Sequence, residues 1–344
     1  MRTRRSQSSS DPVSETPSFV KTTEGGHRPV LLHEALDALA ISPSDTVVDA
    51  TLGGAGHARE IIQRLGTKGI FIGFDLDLDA IARAQTALAD ASCTAHLINA
   101  NFRNIKSELQ KLGVEEIDRA LFDLGWSAYQ LDAGRGFSFL KDEPLLMTYS
   151  KESGALTAAT IVNEWAEESI ADVIFGWGEE RYSRRIAKRI VEQRLHRPFT
   201  TAVELADCVR EAVPAAYRRG PRSKSFALQR GRRLHPATKT FQALRIAVND
   251  ELGALQEGLT GASALLAEDG RIAVITFHSI EDRLVKRLFA EWEKRGYGKR
   301  VTKKPIVPSV EELRENPRAR SAKLRVFHKN LTEHEKTFGK NKQI

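Results

Sequence analysis

The chain has 344 residues, 41% of them hydrophobic and 28% charged, enough to bury a substantial core in two domains or in one domain with a large insertion. Its two cysteines, Cys93 and Cys208, exclude a disulfide framework and a cysteine-rich metal site and suit a reducing compartment. No apolar run approaches the ~18 residues of a membrane span, and a net charge of +7 suits a polyanionic partner if the positive residues are clustered.

Residues 1–26 are rich in Ser, Thr and Pro, carry Arg2, Arg4 and Arg5 at their start and lack apolar periodicity. They read as a disordered tail, and Asp11, Glu15 and Glu24 argue against a mitochondrial presequence. A Pro-bearing segment from His27 then runs into a helix with Leu32, Ala35, Leu36 and Leu39 on one face.

The stretch TVVDATLGGAGH at residues 46–57 organises the rest. Val47 and Val48 are a short buried-strand run, and Ile61, Ile62 and Leu65 follow at helical spacing. Gly53, Gly54 and Gly56 therefore sit in a strand-to-helix turn, where glycine allows positive φ and lets a ligand approach the backbone. A second strand, GIFIGF, ends at Asp75, about two dozen residues after Asp49, where a carboxylate can bind a ribose diol. Glycine turn plus strand-end acid fits dinucleotide and S-adenosylmethionine sites alike, and an ordinary tight turn is the bland alternative. The spacing D-x-x-x-G-G-A-G departs from G-x-G-x-x-G and leans toward the methyl donor.

Residues 77–89 form an amphipathic helix, and 96–98 a third strand leading into NANF. Phe102 there is either a stacking partner for a base or an ordinary core aromatic. A helix at 105–113 precedes a strand at 119–122 that delivers Asp123, followed by LGWSAYQLD. A carboxylate at the carboxyl end of a central parallel strand lies in the ligand crevice of an open α/β sheet. An exocyclic base amine is a poor nucleophile, because its lone pair is delocalised into the ring. Asp123 can accept its hydrogen bonds while Gly125 admits close backbone and Trp126 or Tyr129 flanks the base, so that catalysis is mainly positioning. Residues 134–150, rich in Gly and aromatics, form a candidate lid.

From about residue 154 the pattern becomes four helices, at 155–165, 169–177, 179–194 and 202–213, without intervening strands. The third carries Arg181, Arg184, Arg185, Lys188 and Arg189. Residues 218–233 add Arg218, Arg219, Arg222, Lys224, Arg230, Arg232 and Arg233 with no acid, a phosphate-contacting footprint. One long amphipathic helix at 240–259 follows, then a strand at 269–276 that closes the sheet and a helix through Trp292. His278 reads as structural or RNA-facing, since methyl transfer to nitrogen needs no strong base before attack. Residues 299–304 and 316–325 are basic again, and the tail beyond Asn330 is polar.

With these pieces placed, the chain resembles the ribosomal small-subunit methyltransferase H family, also called MraW, over residues 27–327. The motifs are HRPVLLHE, DATLGGAGH, DLG with QLD, RGFSF with DEPL, GEERYSRRIAKRIV, HPATKTFQALRIAVNDEL, FHSIEDRLVKR and NPRARSAKLR. The resemblance implies an α/β fold: a class I, Rossmann-like, S-adenosylmethionine-dependent methyltransferase sheet with an inserted all-helical domain. The expected division is a methyltransferase domain at 27–150 and 236–330, an RNA-facing helical insertion at 151–235 and a polar tail at 331–344. It further implies a cytoplasmic enzyme that methylates the N4 amine of a cytidine in the decoding region of small-subunit (16S) ribosomal RNA, without a metal. The alternatives are a methyltransferase-fold RNA-binding protein with reduced turnover and an amino-methyltransferase on another nucleic acid.

Carried over by position, the resemblance implies that Ala55, Gly56 and His57, with Gly53 and Gly54 of the same turn, line the methionine side of the donor. Asp75 takes the ribose, Phe102 the adenosine, and Asp123 and Gln130 the region of the reacting methyl, with Asp123 catalytic. Two segments depart from the family. DLGVSSPQLD is here DLGWSAYQLD, with Trp126, Ala128 and Tyr129 changed, and PLDMRMD is here PLLMTYS, so that Leu146, Thr148 and Ser150 replace two carboxylates and an arginine.

Overall fold

The computed structural model describes residues 28–125, 134–149, 154–219 and 235–329. The expected tails, most of the basic run at 218–233 and the substituted residues Trp126, Ala128, Tyr129 and Ser150 lie outside them.

Seven strands form one sheet in the order β3-β2-β1-β4-β5-β7-β6. Strands β1 (Thr46–Asp49), β2 (Ile70–Asp75), β3 (Thr94–Asn99), β4 (Ile117–Asp123) and β5 (Leu266–Thr276) run parallel. Strand β7 (Lys323–Lys329) is antiparallel to β5, and β6 (Gly298–Arg300) is antiparallel to β7. The chain steps outward from β1 to β3 and returns to β4 on the other side of β1. The crevice above the carboxyl ends of β1 and β4 is therefore the topological switch point, where open α/β sheets bind ligands.

Helices cover both faces, which is why the central strands are continuous apolar runs. Val47 and Leu121 enter one core with Leu36 and Leu39 of α1 (Leu32–Leu39) and Ile61 of α2 (Gly56–Arg64). Ile81 and Ala84 of α3 (Leu78–Ala87) complete that layer. Val48 and Phe122 enter the other core with Ile105 and Leu109 of α4 (Ile105–Lys111).

A third core lies among the helices α5 (Ala158–Glu164), α6 (Glu167–Gly178), α7 (Ser183–Arg194), α8 (Ala202–Ala212) and the short α9 (Ala215–Arg219). Ile161, Ile174, Ile186, Ile190, Leu205 and Val209 fill it. The same cluster takes in Phe137, Leu145 and Met147 from one side of residues 151–235 and Phe241 and Leu244 from the other. The candidate lid is thus packed onto the helical unit.

Two expectations are corrected. The single helix at 240–259 is two helices, α10 (Thr238–Asn249) and α11 (Glu251–Leu265), broken at Asp250 in the left-handed region with φ 46° and ψ 46°. The apolar period runs through the break, so the sequence shows no interruption, and Asp is among the few residues that tolerate this conformation. The break lets Phe241 and Leu244 face the helical core while Leu255 and Leu259 face the sheet. The sheet also does not close at β5, because the end of the basic stretch 316–325 enters strand β7, which pairs with β5. Leu324, Val326 and Phe327 are buried, while Arg325 is buried in an ion pair with Asp282 of α12 (Ser279–Lys294), Nε to Oδ1 2.7 Å. The remaining helix, α13 (Val310–Glu315), precedes β7. Among the described residues no helix is long and apolar enough to cross a membrane.

Candidate active site

A cavity of about 490 Å³ opens over the carboxyl ends of β1, β2 and β4, within the usual range for small-molecule sites. It is lined by Gly53, Gly54, Gly56, His57, Asp75, Phe102 and Asp123. Ala55 is buried beneath the turn, and Gln130 lies outside the described residues.

The turn explains its glycines only in part. Gly53 has φ 50° and open space where a Cβ would project, so its backbone faces the cavity bare. Gly56 has ordinary φ, but a Cβ there would lie 2.3 Å from Cγ of Pro29. Ala55, not a glycine, also sits at positive φ, 59°. The Gly53 N–H donates to Asp75 Oδ2 and the Asp77 N–H to Oδ1, each at 2.9 Å. These bonds fix the carboxylate at the cavity rim. Burial raises the Asp75 pKa, opposed by the two N–H groups.

Asp123 ends β4, and its N–H donates to Thr51 Oγ1 at 2.8 Å. The carboxylate Oδ2 lies 3.5 Å from Nδ1 of His57, whose Nε2 is 3.2 Å from the carbonyl of Val30. A Cβ on Gly125 would lie 2.7 Å from the ring of Phe277, so glycine there admits that ring to the cavity wall. Phe102 packs edge-on against Phe122 at 5.6 Å, and Gly258 of α11 leaves room for it. It therefore serves as core and cavity wall together. Asp49 is fully buried, with Oδ1 accepting the Thr51 N–H at 3.1 Å and, among the described residues, no hydrogen-bond partner for Oδ2. Burial, reinforced by Asp123 and Asp75, pushes its pKa well above the usual carboxylate range.

The opposite wall was not legible as a site in the sequence. Arg245 of α10 grips both oxygens of Glu251, at 2.8 and 3.0 Å, and the Tyr149 hydroxyl donates to Glu251 Oε1 at 2.8 Å. Tyr149 stacks on Phe137 with centroids 5.5 Å apart and 17° between planes. Its N–H donates to Asn249 Oδ1 at 2.8 Å, and Asn249 Nδ2 donates to the Met147 carbonyl at 2.8 Å. The substituted lid is therefore fastened at the α10–α11 break by a residue, Tyr149, that stands where the family pattern has methionine.

His278 caps α12, with Nδ1 accepting the Glu281 N–H at 3.4 Å, and also lines the cavity. Glu251, His278 and Glu281 each bring one potential metal ligand within 4.8 Å of the others. Arg245 already neutralises Glu251, and Glu281 accepts the Phe277 and His278 N–H groups. The two carboxylates are thus engaged by the protein itself, while Nε2 of His278 lies 2.9 Å from Glu281 Oε1.

Of the basic candidates, Arg184 and Arg185 on α7 and Arg218 on α9 are exposed. Arg189 pairs with Glu211 at 3.0 Å, and the Arg181 guanidinium lies over the rings of Tyr182 and Tyr217. The side chains of Arg219, Arg222, Lys224, Arg230, Arg232 and Arg233 lie outside the described residues.

The strand order and the glycine-lined cavity at the switch point define a Rossmann-like, class I methyltransferase. Residues 24–330 match the MraW methylase family. Proteins named ribosomal RNA small subunit methyltransferase H are 43% identical in Clostridioides difficile, over 88% of this chain and 98% of the relative, and 44% identical in Brevibacillus brevis over the same shares. A crystal structure of a putative rRNA-methylase from Clostridium thermocellum is 15% identical, with 88% of this chain and 99% of that one covered and a TM-score of 0.38. The chain belongs to the MraW methylase family and is a methyltransferase that uses S-adenosylmethionine.

Proposed function

We propose that this protein methylates the exocyclic N4 amine of a cytidine in small-subunit (16S) ribosomal RNA, acting in the cytoplasm on the subunit or its precursor. The observation that carries the reading is the 43–46% identity, over 88% of the chain, to relatives named for methylation of that RNA.

The cavity suits the donor: bare backbone at Gly53 beside Gly54 in the lining, a fixed carboxylate at Asp75 for the ribose hydroxyls and the Phe102 ring for the adenine. The bound donor supplies an already activated methyl. The work left to the chain is to position the amine. Asp123 accepts an N–H of the base, which turns the nitrogen lone pair toward the methyl and stabilises the positive charge that develops on nitrogen. The cytidine is splayed out of its RNA context to reach the cavity, as single-stranded or flipped bases are. Phe137, Tyr149 and Phe277 supply apolar wall for its ring. Exposed Arg184, Arg185 and Arg218, with the basic run that follows, contact phosphates.

Incubation with methyl-labelled donor and small subunits tests this. Label on one cytidine of the small-subunit RNA, lost with Asp123→Ala, is expected. Donor binding without label on RNA supports the binding-protein alternative, and label on duplex DNA alone supports the other.

A further inference from the structure

The neighbourhood of His57 has a consequence for the proton that methyl transfer releases. Nε2 of His57 lies 3.2 Å from the Val30 carbonyl oxygen, and a carbonyl only accepts, so Nε2 carries the ring proton. In the neutral ring Nδ1 is then an acceptor, and it lies 3.5 Å from another acceptor, Oδ2 of Asp123. That separation exceeds the 2.7–3.2 Å typical of a made hydrogen bond. One added proton converts this apposition into a hydrogen-bonded pair. The ring is 6% exposed, so water has little access to compete for the position. On balance its proton affinity is lowered, because burial outweighs Asp123, the Val30 carbonyl and Glu312 of α13, which raise it. Among the described residues, Asp49 interacts with Asp123 and with Asp75, and Asp75 and Arg318 line the same cavity as Asp123.

We propose that His57 is the terminal proton acceptor behind Asp123, so that the two side chains work as a relay that returns Asp123 to its carboxylate form after each transfer. This rests on the reading of Asp123 given above. The amine nitrogen forms the N–C bond with its lone pair, and the pair of the broken S–C bond stays on sulfur. The proton then leaves nitrogen for Oδ2 of Asp123 and moves on to Nδ1 of His57, while the N–H bonding pair remains on nitrogen. Total charge is conserved: the unit of positive charge brought in on sulfur ends on the imidazolium, between the Asp123 carboxylate and the Val30 carbonyl. The relay has a purpose because a protonated Asp123 would donate rather than accept, and so fail to receive the next amine. The proton passes to water when the cavity opens to exchange its contents.

The first test needs neither donor nor RNA. Long-range proton–nitrogen NMR of the histidine-labelled protein follows the ring nitrogens of His57 from pH 5 to pH 9. The expected result is the Nε2–H tautomer at high pH, with Nδ1 taking up a proton on acidification and Asp123→Asn weakening that uptake about tenfold, the scale of losing a neighbouring opposite charge. An Nδ1–H tautomer in the parent protein, or the same midpoint in Asp123→Asn, would overturn the relay. The second test is kinetic, on folded His57→Gln protein. A fall in kcat of about 100-fold, the lower range for a positioned acid or base, with loss of the acidic limb of the kcat–pH profile, is expected. A raised KM for the donor with kcat and profile unchanged would leave His57 as donor contact only and refute the relay. If the parent protein methylates no cytidine, the functional reading fails while the NMR result still stands by itself.

Discussion

Removing the Asp75 carboxylate should weaken donor binding more than removing that of Asp123, and the structure gives the scale. In Asp75→Ala the Gly53 and Asp77 N–H groups, now held at 2.9 Å, lose their acceptor. The donor ribose loses its own. A buried hydrogen-bonding group left without a partner costs about 1–3 kcal/mol, but both N–H groups here can be partly rehydrated through the open cavity mouth, which places the net loss in donor affinity at ~1–3 kcal/mol in total. That is a rise in Kd of about 5- to 150-fold. Asp123→Ala removes a group that faces the reacting amine, so donor affinity should stay within about tenfold while transfer is abolished. Calorimetric titration with donor gives the first quantity and single-turnover methylation the second. Equal losses of donor affinity in the two variants would refute the division of roles.

Three further outcomes follow from the same geometry. Asp49 has a raised pKa, so the folded state binds its proton more tightly than the unfolded chain, and its contribution to stability declines as pH rises above the unfolded value of 3.8. Asp49→Asn should therefore melt higher than the parent at pH 8 and no higher at pH 3.5 by differential scanning calorimetry. A pH-independent difference would contradict the assignment. Tyr149→Phe should lower unfolding free energy in urea by about 1 kcal/mol for the lost hydroxyl bond, and Tyr149→Met by about a further 1 kcal/mol for the lost ring pair. No difference between the two would mean that the Phe137 stack contributes nothing. Arg184→Ala with Arg185→Ala should weaken binding to small-subunit RNA and flatten its dependence on the logarithm of salt concentration by about 1.5, if each meets one phosphate. An unchanged slope would take both out of the interface.

What was readable in the sequence was local. The β-branched run at Val47 and Val48, the turn at Gly53 to Gly56, and the acids closing strands at Asp75 and Asp123 each announce themselves within a dozen residues, and parallel strands place such ends side by side. What was not readable depends on distant partners or on backbone alone. The break at Asp250 leaves the helical period intact, because the left-handed residue turns the axis without shifting which positions are apolar. Strand β7 was hidden in a stretch that reads only as basic, because Arg325 is an unlikely buried residue until Asp282, 43 positions away, is brought beside it. The Tyr149–Glu251–Arg245 wall joins positions 102 apart, and although Arg245 and Glu251 lie within the HPATKTFQALRIAVNDEL stretch, nothing in that stretch announces their partner Tyr149. The glycine turn is also more specific than it looked: Gly56 is needed for the packing of Pro29, whereas Gly53 is the one that leaves backbone open to a ligand.

The most direct test of the central claim is mass mapping of modified cytidines in small-subunit ribosomal RNA from cells with and without this protein. One N4-methylated cytidine that disappears without the protein, returns with the parent chain and stays absent with Asp123→Ala is the expected result. An identical pattern of cytidine methylation in the presence and absence of the protein would contradict the account.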